Sequence, residues 1–80
     1  MHHVYIIRSI KYPEKKYVGK TTNLKKRISD HNCGTTTHTK KYKPWELVVC
    51  VTFKDELKAI EFEKYLKSCS GRTFANKRLL

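Results

Sequence analysis

Apolar residues gather in three short runs and recur at helical spacing in two longer stretches of the chain. The first run, residues 3–9, holds Val4, Tyr5, Ile6 and Ile7 and reads as a β-strand, because β-branched and aromatic side chains suit a pleated surface. Residues 11–15 form a polar, proline-containing connection that is long enough for a hairpin and too short for a crossover helix. Residues 16–21 therefore return as an antiparallel strand. Thr22 or Asn23 can cap a helix whose inward face carries Leu24 and Ile28, and Gly34 stops it after Asn32 and Cys33. Residues 35–44 are basic and hydroxyl-rich without helical periodicity, which predicts a surface loop. Residues 45–53 predict a third strand, with an apolar run suited to the middle of a sheet. Asp55 caps a second helix with Ala59, Phe62, Leu66 and Cys69 as its inward stripe. Ser70-Gly71 is read as its break, and residues 72–80 as a short basic terminal helix. The order β-β-α-β-α-α predicts an α/β (α+β) fold: a three-stranded, largely antiparallel sheet covered by helices.

Eighty residues make one domain, 1–80, and 39% hydrophobic residues suffice for one core. Charge changes the picture more. Eighteen Lys and Arg against seven Asp and Glu give a formal net charge of +11, and such an excess repels itself unless a polyanion meets it. Nucleic acid is the leading candidate, DNA first with RNA as an open alternative; a basic protein whose charge only aids dispersion is the plainer one. A membrane surface fits less well, since no helix opposes a broad apolar face to a purely basic one. Cys33, Cys50 and Cys69 are odd in number and widely spaced, and no signal peptide or membrane-spanning run accompanies them. Free thiols in a reducing cytoplasm are expected.

Five residues have chemistry and spacing that agree. Tyr5 and Tyr17 fall on the two strands of the hairpin, which can put both phenols on one face. Arg27 and His31, four apart, stand one above the other on the first helix. Glu63 lies at the edge of the apolar stripe of the second helix, outside the polar face of Glu61, Lys64 and Ser68, where a carboxylate is desolvated unless a cation meets it. Each has a plainer role open to it: core tyrosines, a solvated helix face, a Glu63–Lys67 pair at i, i+4. Together they match what phosphodiester cleavage needs, an activated water, a cation to spread phosphate charge and help for the leaving oxygen. No pair among Cys33, Cys50, Cys69 and the histidines has the spacing of a structural zinc site.

Val4-Tyr5-Ile6 and, further on, Tyr17-Val18-Gly19 resemble the paired triplets of the GIY-YIG nuclease superfamily. The resemblance continues through residues 19–27, Asp30-His31-Asn32, Thr39-Lys40, Pro44–Val48, Ala59–Glu63 and Gly71-Arg72, so it spans almost the whole chain. It is closest in kind to the small stand-alone members and to the N-terminal catalytic domain of the bacterial excision-repair endonuclease. The triplets depart from the letter of the motif, with Val4 for Gly in the first and Val18 for Ile in the second, and both keep the tyrosine.

This resemblance implies one divalent ion, Mg²⁺ or Mn²⁺, held by Glu63. It implies that Tyr5 or Tyr17 takes a proton from water with His31 close by, that Arg27 holds the scissile phosphate, and that Asn76 helps bind phosphate. An ordinary phenol, with a pKa of about 10, is a poor base at neutral pH. Positive charge from Arg27, Lys20 and a metal is the expected means of lowering it.

Two functions from different classes follow. One is a metal-dependent DNA endonuclease serving repair or recombination, with a protein partner supplying target specificity. The other is a binding module of the same fold, in which Lys20, Lys25, Lys26, Lys40 and Lys41 position phosphates without catalysis. A structural RNA-associated basic protein is a third. A carboxylate facing a polyanion favours the first.

Overall fold

A computed structural model describes residues 1–80. The first strand, β1 (His2–Ser9), turns through residues 10–15 into β2 (Lys16–Thr21), antiparallel to it. Helix α1 (Leu24–Cys33) follows, capped by the Asn23 side chain on the Lys26 amide and closed by Gly34 at φ 78°. After one turn of helix, α2 (Thr37–Lys40), the chain enters β3 (Trp45–Phe53), then α3 (Glu56–Leu66) and α4 (Cys69–Arg78). The sheet order is β2-β1-β3, with both pairings antiparallel. The α+β architecture and its element order are those the sequence predicts, with α2 as an addition.

Alternation along β1 divides the core. Val4 and Ile6 face Ala59 and Leu66 of α3 and Ala75 of α4, joined by Val18, Val49 and Phe62. Tyr5 and Ile7 face the other way, with Trp45 and the half-buried Tyr17, Leu24, Ile28 and Tyr42. The sheet is therefore covered on both sides, by α3 and α4 on one face and by α1 and α2 on the other.

Four expectations need correcting. β3 is an edge strand; β1 holds the centre, and the apolar run in β3 reflects helices on both faces rather than strands on both sides. The segment 35–44 is no simple surface loop, for it forms α2 and buries Thr39. Cys69 is exposed and begins α4 instead of ending the stripe of α3. The break falls at Lys67-Ser68, where the Ser68 hydroxyl caps α4 by accepting from the Gly71 amide. Gly71 lies inside α4 because a side chain there would strike the Tyr65 carbonyl as the two helices meet. No helix is long and apolar enough to cross a membrane.

Candidate active site

The hairpin register sets Tyr5 opposite Gly19 and Ile7 opposite Tyr17, so both phenols lie on the α1 face, diagonal to each other. The Tyr5 ring rests over Gly19, and a Cβ at that position would collide with its hydroxyl. The glycine of the second triplet is thus a cradle for the tyrosine of the first. Tyr5 is 1% exposed, whereas Tyr17 is half-buried and reaches the sheet edge.

Asn23 sets the start of α1, and the turn spacing then delivers His31 beneath the two tyrosines, with ring centroids 5.9 Å from Tyr5 and 5.2 Å from Tyr17. His31 is 0% exposed, and both ring nitrogens are bonded. The Thr39 hydroxyl donates to the Thr36 carbonyl (3.5 Å) and so accepts from His31 Nδ1–H (2.6 Å). Nε2 is left to accept from the Tyr5 phenol at 2.9 Å. Trp45 Nε1–H donates to the Thr39 carbonyl at 2.8 Å, which fixes α2 in place. Asn32 ties α1 to the start of β3 by bonding both backbone polar groups of Trp45.

Electrostatics follow from this burial. Desolvation pushes the Tyr5 phenol well above its ordinary value; the Tyr17 phenol adds to the rise, Arg27 opposes it and Glu63 adds again. Among the protein's own groups, burial outweighs the lowering effect of Arg27 at Tyr5. Desolvation also lowers His31 below its ordinary value of 6.5, with Arg27 in the same sense and Asp30 against it. His31 is therefore a neutral imidazole at pH 7, the state needed to accept a hydrogen bond from the Tyr5 hydroxyl.

Arg27 is exposed one turn before His31, and its guanidinium takes part in none of the ion pairs. Glu63 stands on α3, on the opposite face of the sheet, yet its charge is felt at the Tyr5 phenol. Of the two helices, α3 packs against all three strands and α1 packs chiefly against β3. The Glu63 side chain is 23% exposed and pairs with Lys67 at 3.2 Å, so the plainer i, i+4 partner is present. No group of three or more His, Cys, Asp or Glu forms a cage for a metal. A lone half-buried carboxylate still suits Mg²⁺, which keeps most of its waters and takes one or two protein ligands.

The remaining candidates are spread unevenly. Lys20 points to the α3 side, where Glu56 holds it at 3.8 Å. Lys25 and Lys26 are exposed on α1, Lys26 paired with Asp30 at 3.2 Å, and Lys40 and Lys41 are exposed at the end of α2. Asn76 of α4 lines a groove of about 490 Å³ together with Tyr17, Lys67 and Arg72. The cysteines are free thiols, two of them exposed. Sequence reasoning named Gly19 and Thr39 only within the family resemblance and gave neither a role. Thr39 lies in a threonine-rich stretch that gives no hint which hydroxyl is buried, while Gly19, facing an aromatic across a hairpin, was open to discovery from register.

A family model of the GIY-YIG catalytic domain matches residues 1–78. Curated relatives include the structure-specific endonuclease subunit SLX1 of Candida dubliniensis, 38% identical in a 71-position alignment that covers 80% of this chain and 25% of that protein. SLX1 of Debaryomyces hansenii is 35% identical in a 71-position alignment that covers 80% of this chain and 20% of that protein. The chain thus spans about a quarter or less of the length of these relatives. Among solved structures, the UPF0213 protein BH0048 of Bacillus halodurans aligns with a TM-score of 0.57 at 28% identity, covering 95% of this chain and 80% of that one.

Proposed function

This chain belongs to the GIY-YIG family of catalytic domains, and on that premise we propose that it is an endonuclease hydrolysing phosphodiester bonds in DNA. The observation that carries the reading is the buried Tyr5–His31–Thr39 hydrogen-bond chain with the unpaired Arg27 guanidinium beside it. A neutral imidazole fixed by two hydrogen bonds leaves the neighbouring guanidinium free to meet the single negative charge of a phosphodiester.

In this mechanism Arg27 spreads the charge of the scissile phosphate. Tyr17, half-buried at the sheet edge, takes the proton of the attacking water in its phenolate form and returns to the phenol, as the water oxygen bonds to phosphorus and the bond from phosphorus to the leaving oxygen breaks. Tyr5 keeps its own proton, held chiefly by burial, and its bond to His31 fixes the imidazole against which Tyr17 packs. Glu63 would hold a single Mg²⁺ or Mn²⁺, whose chemistry there is Lewis-acid polarisation of the phosphate and of its bound water. Lys25, Lys40, Lys41 and Asn76 position the flanking backbone. The SLX1 relatives are subunits of structure-specific endonucleases, which supports a role in repair or recombination and a protein partner that chooses the target. Free thiols are in keeping with a reducing cytoplasm.

The test is Glu63→Gln. The exchange is nearly isosteric and removes the charge available to a metal. The variant is expected to bind DNA as the parent does in chelator, by gel shift, and to lose nicking of supercoiled plasmid in Mg²⁺. Cutting at the parent rate would remove Glu63 from the chemistry. The Glu63–Lys67 pair favours the second reading, a binding module; binding by both proteins with cleavage by neither, on any branched, nicked or supercoiled substrate, selects it.

A further inference from the structure

Away from the catalytic candidates, the hairpin turn carries an exposed aromatic side chain that packing does not explain. Tyr12 is 47% exposed and meets the Tyr42 ring edge-to-face, with centroids 5.6 Å apart and an interplanar angle of 81°. The Nζ atoms of Lys15 and Lys41 lie 5.3 and 5.8 Å from the Tyr42 centroid. Neither lysine has an acidic partner. Glu14, the acid of the same turn, lines the separate groove beside Lys16 and Lys67.

The pair is held from below. The Ser9 hydroxyl, 1% exposed, accepts from the Tyr12 amide at 3.0 Å and donates to the Tyr42 carbonyl at 2.6 Å. The Ile10 amide donates to the Pro44 carbonyl at 3.0 Å, and the Lys15 amide to the Tyr12 carbonyl at 2.8 Å. These bonds already join the hairpin to the segment before β3, so the Tyr12 ring is not needed as a clamp. On its inner side Tyr42 packs into the cluster that contains Tyr5 and against which Tyr17 lies.

We propose that Tyr12, set edge-to-face beside the Tyr42 ring over which the Lys15 and Lys41 ammonium groups lie, is a stacking platform for an unpaired nucleotide of the substrate strand. The inference rests on the nuclease reading and narrows it to nucleic acid with a single-stranded segment next to the cleaved bond. Every base has a π-face, and a phenol ring with cations beside it accepts the base while the ammonium groups meet the adjoining phosphates. Paired bases keep their faces buried in the duplex stack and offer nothing to the ring.

The test compares a dye-labelled single-stranded oligonucleotide with a blunt duplex by anisotropy, using the full chain in chelator. Tyr12→Ala is expected to weaken single-strand binding about five-fold or more, the scale of one base–aromatic stack, and to change duplex binding less than about two-fold. Tyr12→Phe and Tyr12→Trp should bind the single strand as the parent does or more tightly, which also guards against a folding defect in the alanine variant. A 2-aminopurine base in the strand should change its fluorescence with the parent and not with Tyr12→Ala. Equal weakening on both substrates, or none on either, overturns the platform. If the parent cuts DNA while Tyr12→Ala binds every substrate normally, the platform alone falls. If the parent binds no nucleic acid, the nuclease reading falls with it.

Discussion

Removing the Tyr5 hydroxyl leaves Nε2 of a fully buried histidine without its donor, whereas the half-buried Tyr17 guards no such group. Tyr5→Phe should therefore cost about 1–3 kcal/mol, the penalty for a stranded buried polar atom, and Tyr17→Phe less than about 0.5 kcal/mol. Cleavage should move the other way, with Tyr17→Phe losing about 10² or more as expected for a general base; urea unfolding and plasmid nicking read the two effects. His31 makes a further prediction. Its folded-state pKa is depressed, so below its ordinary value of 6.5 the unfolded chain binds a proton that the folded chain refuses. The stability it contributes is present above pH 6.5 and is lost as pH falls from there toward the folded-state pKa. Melting temperature should thus decline between pH 7 and pH 5.5 more steeply in the parent than in His31→Gln. At this scale spacing put Arg27 above His31 and Glu63 beside an apolar stripe, while the triplets stood out through their resemblance to the GIY-YIG family. Thr39 was not legible, since its burial depends on where α2 packs and on a bond from Trp45.

Helices and strands were legible wherever a cap or an alternating pattern marked them, as Asn23, Asp55 and Gly34 show. Misreadings arose where a residue type carries two meanings. Gly71 looks like a helix breaker, but it is the point of closest approach between α4 and the end of α3. Gly71→Ala should push these helices apart and cost about 1–3 kcal/mol, an overpacking penalty measurable as a lower urea midpoint with unchanged slope. The run from Val48 to Val51 looks central because both its faces are covered, although one edge of β3 is open. α2 escaped notice because four residues rich in threonine have little helical preference and no period. Tertiary bonds to His31 and Trp45 hold that turn where propensity would not.

For the molecule as a whole, the net charge of +11 predicts that DNA affinity falls steeply with salt through release of condensed counterions. The lysines are not equivalent in this. Lys25 has no acidic partner, Lys26 pairs with Asp30, and Lys20 is drawn to Glu56. Lys25→Gln should flatten the slope of log affinity against log salt by about one unit, and Lys20→Gln by less, as measured by anisotropy from low to moderate salt. Which faces of the sheet Arg27 and Glu63 occupy was beyond sequence reading. Both lie one residue off an apolar stripe, and only the folded chain shows that charge from helices on opposite faces of the sheet acts on one phenol.

The strand at the centre of the sheet is also the first to be synthesised. β1 finds β2 across a short turn, but its other edge must wait for β3, with α1 and α2 in between. Closing that longer loop is the slower event in assembly. Until it closes, the backbone groups along one side of Val4–Ile7 stand unpaired, the kind of edge on which nascent chains join one another. Mutual repulsion between strongly cationic chains works against such encounters. The surplus of lysine and arginine thus shields the half-built sheet before it has any phosphate to meet.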